Sequence, residues 1–323
     1  MQFPRRRFLQ LAAGAAVAPL SPRFAFALDY PTRPVHLVVG FPPGLAPDII
    51  ARVVAQPLSE RLGQNVIIDN RPGAGSNIAA DVVVHAPGDG YTLLYVTLGN
   101  AINATFYKHL DFDITRDIAP IAGTVRSPSV LVVSLSVPAK TLAEFIAYAR
   151  ANPGKINFAS GGVGTAPHLA GELFNQMAGV KLVHIPYASS YMPDLLAGRV
   201  QVTFAPIATS LANIKAGKLR ALAVTGMTRS DVLPDIPTVN ESVPGYEASV
   251  WHGVGGPKDI SPDIVNRLNK QINAVIVDPA VKERLAGLGA EPMPMTPGEF
   301  GKFVADEVKK WANVVKLAGL KPE

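Results

Sequence analysis

A short apolar run, Val35–Val39, passes through a Gly/Pro loop into a helical pattern, and more than a hundred residues later Ile156–Ala159 does the same. The first loop reads Phe41-Pro42-Pro43-Gly44-Leu45-Ala46-Pro47-Asp48. The second reads Ser160-Gly161-Gly162-Val163-Gly164-Thr165-Ala166-Pro167-His168, with Leu169, Leu173, Phe174 and Met177 spaced along one helical face beyond it. Glycines let the backbone approach a ligand closely. The N–H groups of a helix's first turn lack intrahelical acceptors and carry partial positive charge, which suits an anion. Two such junctions, far apart in the chain, predict two lobes that close on one acidic ligand.

The rest of the chain supports an α/β reading. In the first third, strands are expected at Val35–Val39, Val66–Asp69 and Thr92–Thr97, with helices at Ile49–Leu62 and from a Ser76 cap to about His85. That β-α-β-α-β order implies a parallel sheet covered on both faces. An irregular section is expected from Asn100 to Asp117. The long apolar pattern Ile118–Ser136 reads as a crossing between lobes, and Ser249–Val254 as the return. Between them, helices Leu142–Ala151, His168–Ala178, Met192–Ala197 and Ile207–Ala216 alternate with strands Ile156–Ala159, Leu182–Ile185, Val200–Phe204 and Leu219–Val224. Two helices, Pro262–Val277 and Pro297–Leu317, are expected to end the chain.

Charge matters only once the N-terminus is set apart. The first 27 residues hold four of the 30 Lys and Arg and none of the 25 Asp and Glu, so the net charge of +5 falls to +1 without them. Basic runs are absent elsewhere, which argues against nucleic acid. Pro4-Arg5-Arg6-Arg7-Phe8-Leu9-Gln10, the apolar Leu11–Leu20 and Ala25-Phe26-Ala27 resemble a twin-arginine export signal cleaved after Ala27. The other reading is an uncleaved anchor, but the apolar run is short and broken by Pro19, Pro22 and Arg23. Cleavage would leave 296 of the 323 residues in the periplasm.

Reactive constellations are missing from the sequence. With no cysteine there is no disulfide, thiolate metal site or cysteine nucleophile. The six histidines show no metal-site spacing; His168 and Glu172, four apart, could share a metal or simply a hydrogen bond. Ser76 and Ser160 sit beside glycines but outside a Gly-x-Ser-x-Gly elbow. Gly162-Val163-Gly164 begins like a dinucleotide fingerprint, yet Pro167 takes the third glycine's place. The expectation is therefore binding loops without catalysis, cofactor or metal.

Seven segments in order carry a resemblance: Phe41-Pro42-Pro43-Gly44 with Asp48; Asn70-Arg71-Pro72-Gly73-Ala74-Gly75; Asp89-Gly90-Tyr91-Thr92-Leu93-Leu94; Gly164-Thr165 with His168 to Phe174; His184-Ile185-Pro186-Tyr187; Ile214 to Thr225; and Leu233 to Val239. Together they resemble the Bug family, periplasmic solute-binding proteins of tripartite tricarboxylate transporters. The resemblance implies a type II-like Venus-flytrap fold with two crossover hinge strands: domain 1 from residues 28–126 plus 250–323, and domain 2 from 127–249. It implies capture of a small organic carboxylate, a di- or tricarboxylate or an aromatic acid, by a monomer that hands it to membrane permease subunits. A rival reading is a ligand sensor docking on a membrane sensor kinase, without a transport role.

On this resemblance the ligand contacts fall at Phe41, Pro43, Gly44, Leu45, Asp48, Ser160, Gly162, Gly164, Thr165, His168, Tyr187 and Ala205. The chain departs from the family pattern at Leu45, in place of a second glycine, and at Ala188-Ser189-Ser190-Tyr191, in place of Lys-Gly. It also carries Ala205 where relatives often have Asp, which argues for a more apolar ligand than an amino acid. Asp48 reads equally as a helix cap, His168 as a packed ring, Arg71 as a loop salt bridge and Trp251 as core or hinge.

Overall fold

The computed structural model describes residues 30–188 and 190–320. The expected export leader and its cleavage site lie outside them, as does Ser189. From Pro31 onward the chain forms two mixed β-sheets flanked by helices, a two-lobed α/β architecture. In the first lobe β1 (Val35–Val39), β2 (Val66–Asn70) and β3 (Thr92–Thr97) run parallel, connected through α1 (Ala46–Leu62) and α2 (Asn77–Val84). All of β1 except His36 is buried, as a strand covered on both faces requires. Ser76 does not cap α2 as expected. Its φ is 81°, and its buried Oγ, packed against Gly40, has no hydrogen-bond partner among the described residues.

α3 (Leu98–Phe106) occupies part of the section expected to be irregular. Gly99, Asn100 and Asn103 weaken its local helical signal. Burial of Leu98, Ala101, Ile102 and Phe106 on one face supplies what propensity lacks. The long pattern Ile118–Ser136 is two strands in different sheets, β4 (Ile118–Ser127) and β5 (Ser129–Ser134), parted by Pro128, which has no N–H for a ladder. The crossing is thus a single residue long.

The second lobe contains α4 (Leu142–Ala151), β6 (Asn157–Ser160), α5 (Ala166–Ala178), β7 (Val183–Pro186), α6 (Met192–Leu196), β8 (Val202–Pro206), α7 (Ile207–Lys215) and β9 (Leu219–Val224). Its sheet order is β7-β6-β8-β5-β9, with β5 antiparallel to both neighbours. The chain returns through β10 (Val250–Pro257), which lies antiparallel between β3 and β4. β11 (Glu291–Pro292) completes the first sheet, in the order β11-β4-β10-β3-β1-β2.

Three helices, not two, close the chain: α8 (Pro262–Ile276), α9 (Pro279–Gly287) and α10 (Pro297–Leu317). Pro279 falls between the two helices expected to end the chain. In the structure it opens α9, where its missing N–H costs nothing, behind an Asp278 carboxylate that accepts from the N–H groups of Ala280 and Val281.

Thr225 joins the two crossings. Its Oγ1 accepts from Ser129 N–H at 2.8 Å and lies 3.2 Å from Ala248 O, while its own N–H donates to Ser129 O. Beside it, β10 is tied to α10 by the buried Glu307, whose Oε2 accepts from the indole N–H groups of Trp251 at 2.8 Å and Trp311 at 2.9 Å. Lys310 pairs with Glu307 and reaches Glu247 at 3.1 Å, just before the return strand.

Candidate functional site

The two loop-to-helix junctions are built alike. Gly44-Leu45-Ala46-Pro47-Asp48 opens α1 and Gly164-Thr165-Ala166-Pro167-His168 opens α5, so each helix has Ala then Pro in its first turn. Both glycines have positive φ, 85° and 76°, a region that side chains disfavour. In each junction the side chain four residues on accepts the glycine N–H: Asp48 Oδ2 at 2.8 Å from Gly44, and His168 Nδ1 at 3.0 Å from Gly164. Neither helix has a side-chain cap at its first residue, whereas Thr141, Ser261, Asp278 and Thr296 cap α4, α8, α9 and α10.

Asp48 is buried, and burial alone would raise its carboxyl. Hydrogen bonds from Arg52, Gly44 N–H and Asn70 outweigh that and hold it below the usual carboxylate range. Asn70 also donates to Phe41 O at 2.9 Å, so Asp48 and Asn70 together fasten both ends of the first loop.

The second loop is buttressed by rings. His168 stacks on His184 with centroids 3.7 Å apart, and His184 Nε2 lies 2.6 Å from Ser160 Oγ. Ser160 Oγ in turn accepts from Gly162 N–H at 3.1 Å and lies 2.9 Å from Gly162 O. Because His168 Nδ1 accepts the hydrogen bond from Gly164 N–H, the ring is neutral with its hydrogen on Nε2. Burial, and secondarily the neighbouring His184, push it down to about 4; burial does the same to His184. Glu172 sits 3.8 Å from His168 Nε2, and among the described residues no group of three or more His, Asp or Glu could hold a metal.

Between the lobes lies a cavity of about 450 Å³. Phe41 and Pro47 of the first junction line it, as do Val163, Gly164, Thr165 and Ala166 of the second. The remaining wall comes from Gly75, from Thr97 through Tyr107 along α3, and from Val250 and His252 of β10. None of the described lining residues is Asp, Glu, Lys or Arg. Phe106 approaches the second lobe so closely that a Cβ on Gly164 would stand 3.2 Å from its ring. At the start of α3 a capping box pairs Thr97 N–H with Asn100 Oδ1 at 2.9 Å and Asn100 N–H with the Thr97 side chain, so Leu98 and Gly99 supply the remaining first-turn N–H groups.

Of the sequence-predicted site residues, Phe41, Gly164 and Thr165 line this cavity. Gly44, Asp48, Ser160, Gly162 and His168 hold the two loops from behind, and Pro43 and Leu45 are exposed beside them. Tyr187 donates to Asp194 at 2.8 Å, and Ala205 is buried in β8; neither lines the cavity. Arg71 pairs with Asp69, and Trp251 is packed in the core. Sequence reasoning missed α3 and His252. The repeated Gly-x-Ala-Pro motif was a usable signal for the junctions, but no local pattern marks the α3 wall.

Residues 50–320 match the family described as "Tripartite tricarboxylate transporter family receptor". The chain is 39% identical over 317 residues to a protein encoded in the tcbD-tcbE intergenic region of Pseudomonas sp. strain P51, covering 96% of this chain and 94% of that one. It is 36% identical to BugT of Bordetella pertussis over 316 residues, 96% of this chain and 95% of BugT. Among solved structures, R. palustris Rpa4515 with adipate superposes with a TM-score of 0.74 at 37% identity, over 91% of this chain and all of that one. Rhodopseudomonas palustris MatC with bound malate gives 0.69 at 30%, over 88% of this chain and all of MatC.

Proposed function

This chain belongs to the tripartite tricarboxylate transporter receptor family, and we propose that it is a periplasmic solute-binding protein that captures a small organic carboxylate between its lobes. The carboxylate sits between the first turns of α1 and α5, taking N–H groups that the helices leave unpaired. Each helix start contributes about 0.3–1 kcal/mol, rising toward ~2 when partly buried, so an anion is held without an arginine. One observation carries the reading: two matched Gly-x-Ala-Pro helix starts, one from each lobe, open on one cavity whose described lining has no charged side chain. The adipate and malate bound to the relatives agree with it in ligand class.

Contacts from both lobes favour the closed form, so the ligand shifts the population toward it. The family resemblance supports delivery to the membrane subunits of a tripartite transporter, and the leader pattern supports export with cleavage after Ala27. Binding without turnover is the reading that membership of a receptor family supports. Ser160, beside His184, is buried and engaged with the backbone of Gly162.

The test is a thermal-shift panel on protein unfolded and refolded to strip any copurified acid. Mono-, di- and tricarboxylates, aromatic acids and acidic amino acids are compared with the matching neutral amides. At 100 times its dissociation constant a ligand adds about 2.7 kcal/mol, which raises the melting point by several degrees in a chain of this size. A flat response to every acid from folded protein, or equal shifts from the amides, overturns the carboxylate reading.

A further inference from the structure

His252 stands out among the cavity walls. It is 2% exposed, it lines the cavity, and among the described residues its buried Nδ1 has no hydrogen-bond partner. A buried ring nitrogen left unpaired in the protein is uncommon and calls for a partner. The ring is held in place by stacking on Tyr95, with centroids 5.3 Å apart and planes 9° from parallel. It lies opposite Thr97, the residue before α3, in the β3–β10 register. So His252 and the first-turn residues of α3, Leu98 and Gly99, belong to the same wall of the cavity, the one built by the first lobe.

The character of the surrounding wall limits what that group meets. Phe41, Ile102, Phe106, Tyr107, Val163 and Val250 are apolar or aromatic, and no cation is found in the described lining. A second ionised carboxylate placed there would meet one helix start and a neutral imidazole, against the two helix starts at the junctions, and so recovers less for the water it loses. A hydroxyl or carbonyl oxygen loses far less and is matched by a neutral imidazole. Burial lowers the His252 imidazole to about 4, so it is uncharged at neutral pH.

We propose that His252 and the first turn of α3 form an uncharged polar subsite, which binds a neutral hydroxyl or carbonyl oxygen at the far end of a monocarboxylate with an apolar, ring-sized body. This rests on the carboxylate reading above and deepens it: the junctions of α1 and α5 take the acid, and His252 selects the other end. His252 is thus a specificity-determining residue for the site.

Two matched series separate the possibilities by calorimetry: benzoate, para-hydroxybenzoate and terephthalate; and hexanoate, its terminal hydroxy acid and adipate. The expected order in at least one series is hydroxy acid first, unsubstituted acid second and diacid last. The first step should be about tenfold, the scale of one hydrogen bond to a buried partner. In H252F the ratio of hydroxy-acid to unsubstituted-acid affinity collapses toward one. A diacid that binds tightest, or a ratio unchanged in H252F, overturns the subsite. If H252F does not fold, ¹⁵N NMR of the wild-type imidazole decides. The His252 ring nitrogens shift with the hydroxy acid beyond what the unsubstituted acid causes, and equal shifts overturn the proposal. Binding of no acid at all is a different failure: it overturns the carboxylate reading, and the subsite falls with it.

Discussion

Asp48 and His168 occupy the same place in two junctions and do the same work with different chemistry. Each receives the N–H of a glycine in the left-handed region and so sets the loop that meets the cavity. Asp48→Ala leaves Gly44, Arg52 and Asn70 without their shared acceptor. Hydrogen bonds to a charged group are worth roughly 1.5–3 kcal/mol, so D48A should lose about 3 kcal/mol of stability in urea denaturation. At the second junction, H168F removes the acceptor for Gly164, and H168N offers an amide oxygen in its place. H168F should weaken carboxylate binding by about tenfold, with H168N recovering part of it, as read by calorimetry. Equal affinities for the two variants would show that the Gly164 hydrogen bond does not shape the site. That both residues support loops rather than line the cavity was not legible from residue type. Either side chain reads equally well as a ligand contact until its partner is seen.

At the scale of elements, the lobes depend on how α10 grips the return strand. Glu307 sits 5% exposed with two indole N–H groups and Lys310 upon it. Removing one partner of a buried ion pair costs about 3–5 kcal/mol, because the remaining charge and donors are left unsatisfied. E307A should therefore lower the denaturation midpoint far more than the exposed-pair variant D306A, whose Lys302 contact lies at the surface. Similar losses in the two would mean that α10 is not anchored through Glu307. The periodicity of α10, with Phe300, Val304, Trp311 and Val315 on one face, is plain in sequence. The buried glutamate on that face breaks the apolar pattern, and its purpose emerges only with Trp251 opposite it.

Across the whole molecule, three buried or part-buried imidazoles tie stability to pH. His168, His184 and His252 are each pushed down to about 4 from an ordinary 6.5. Below pH 6.5 the unfolded chain takes up protons that the folded chain refuses, so stability falls as pH falls, until the folded rings titrate near 4. His168 faces His184 and Glu172, and His184 faces Ser160; a proton on either ring sets it against the other. Denaturation midpoints measured from neutral pH down to 4 should decline steadily, and more shallowly in H252F. A flat profile would show that the folded rings take up protons over the same pH range as the unfolded chain.

What the sequence by itself determined was local. Apolar runs of strand length, helical periodicity and Gly/Pro punctuation specified two α/β lobes and both loop-to-helix junctions, because backbone constraint and amphipathic burial act over a few residues. The crossing at Ile118–Ser136 was visible for the same reason. Tertiary structure alone decided which surfaces meet across the cleft. α3 became a helix, against its glycine and asparagines, through burial of its apolar face. His252 reached the cavity because β10 returns between β3 and β4 and is set opposite Thr97. Those pairings join residues more than a hundred positions apart, and a wall formed that way leaves no periodic trace in the chain.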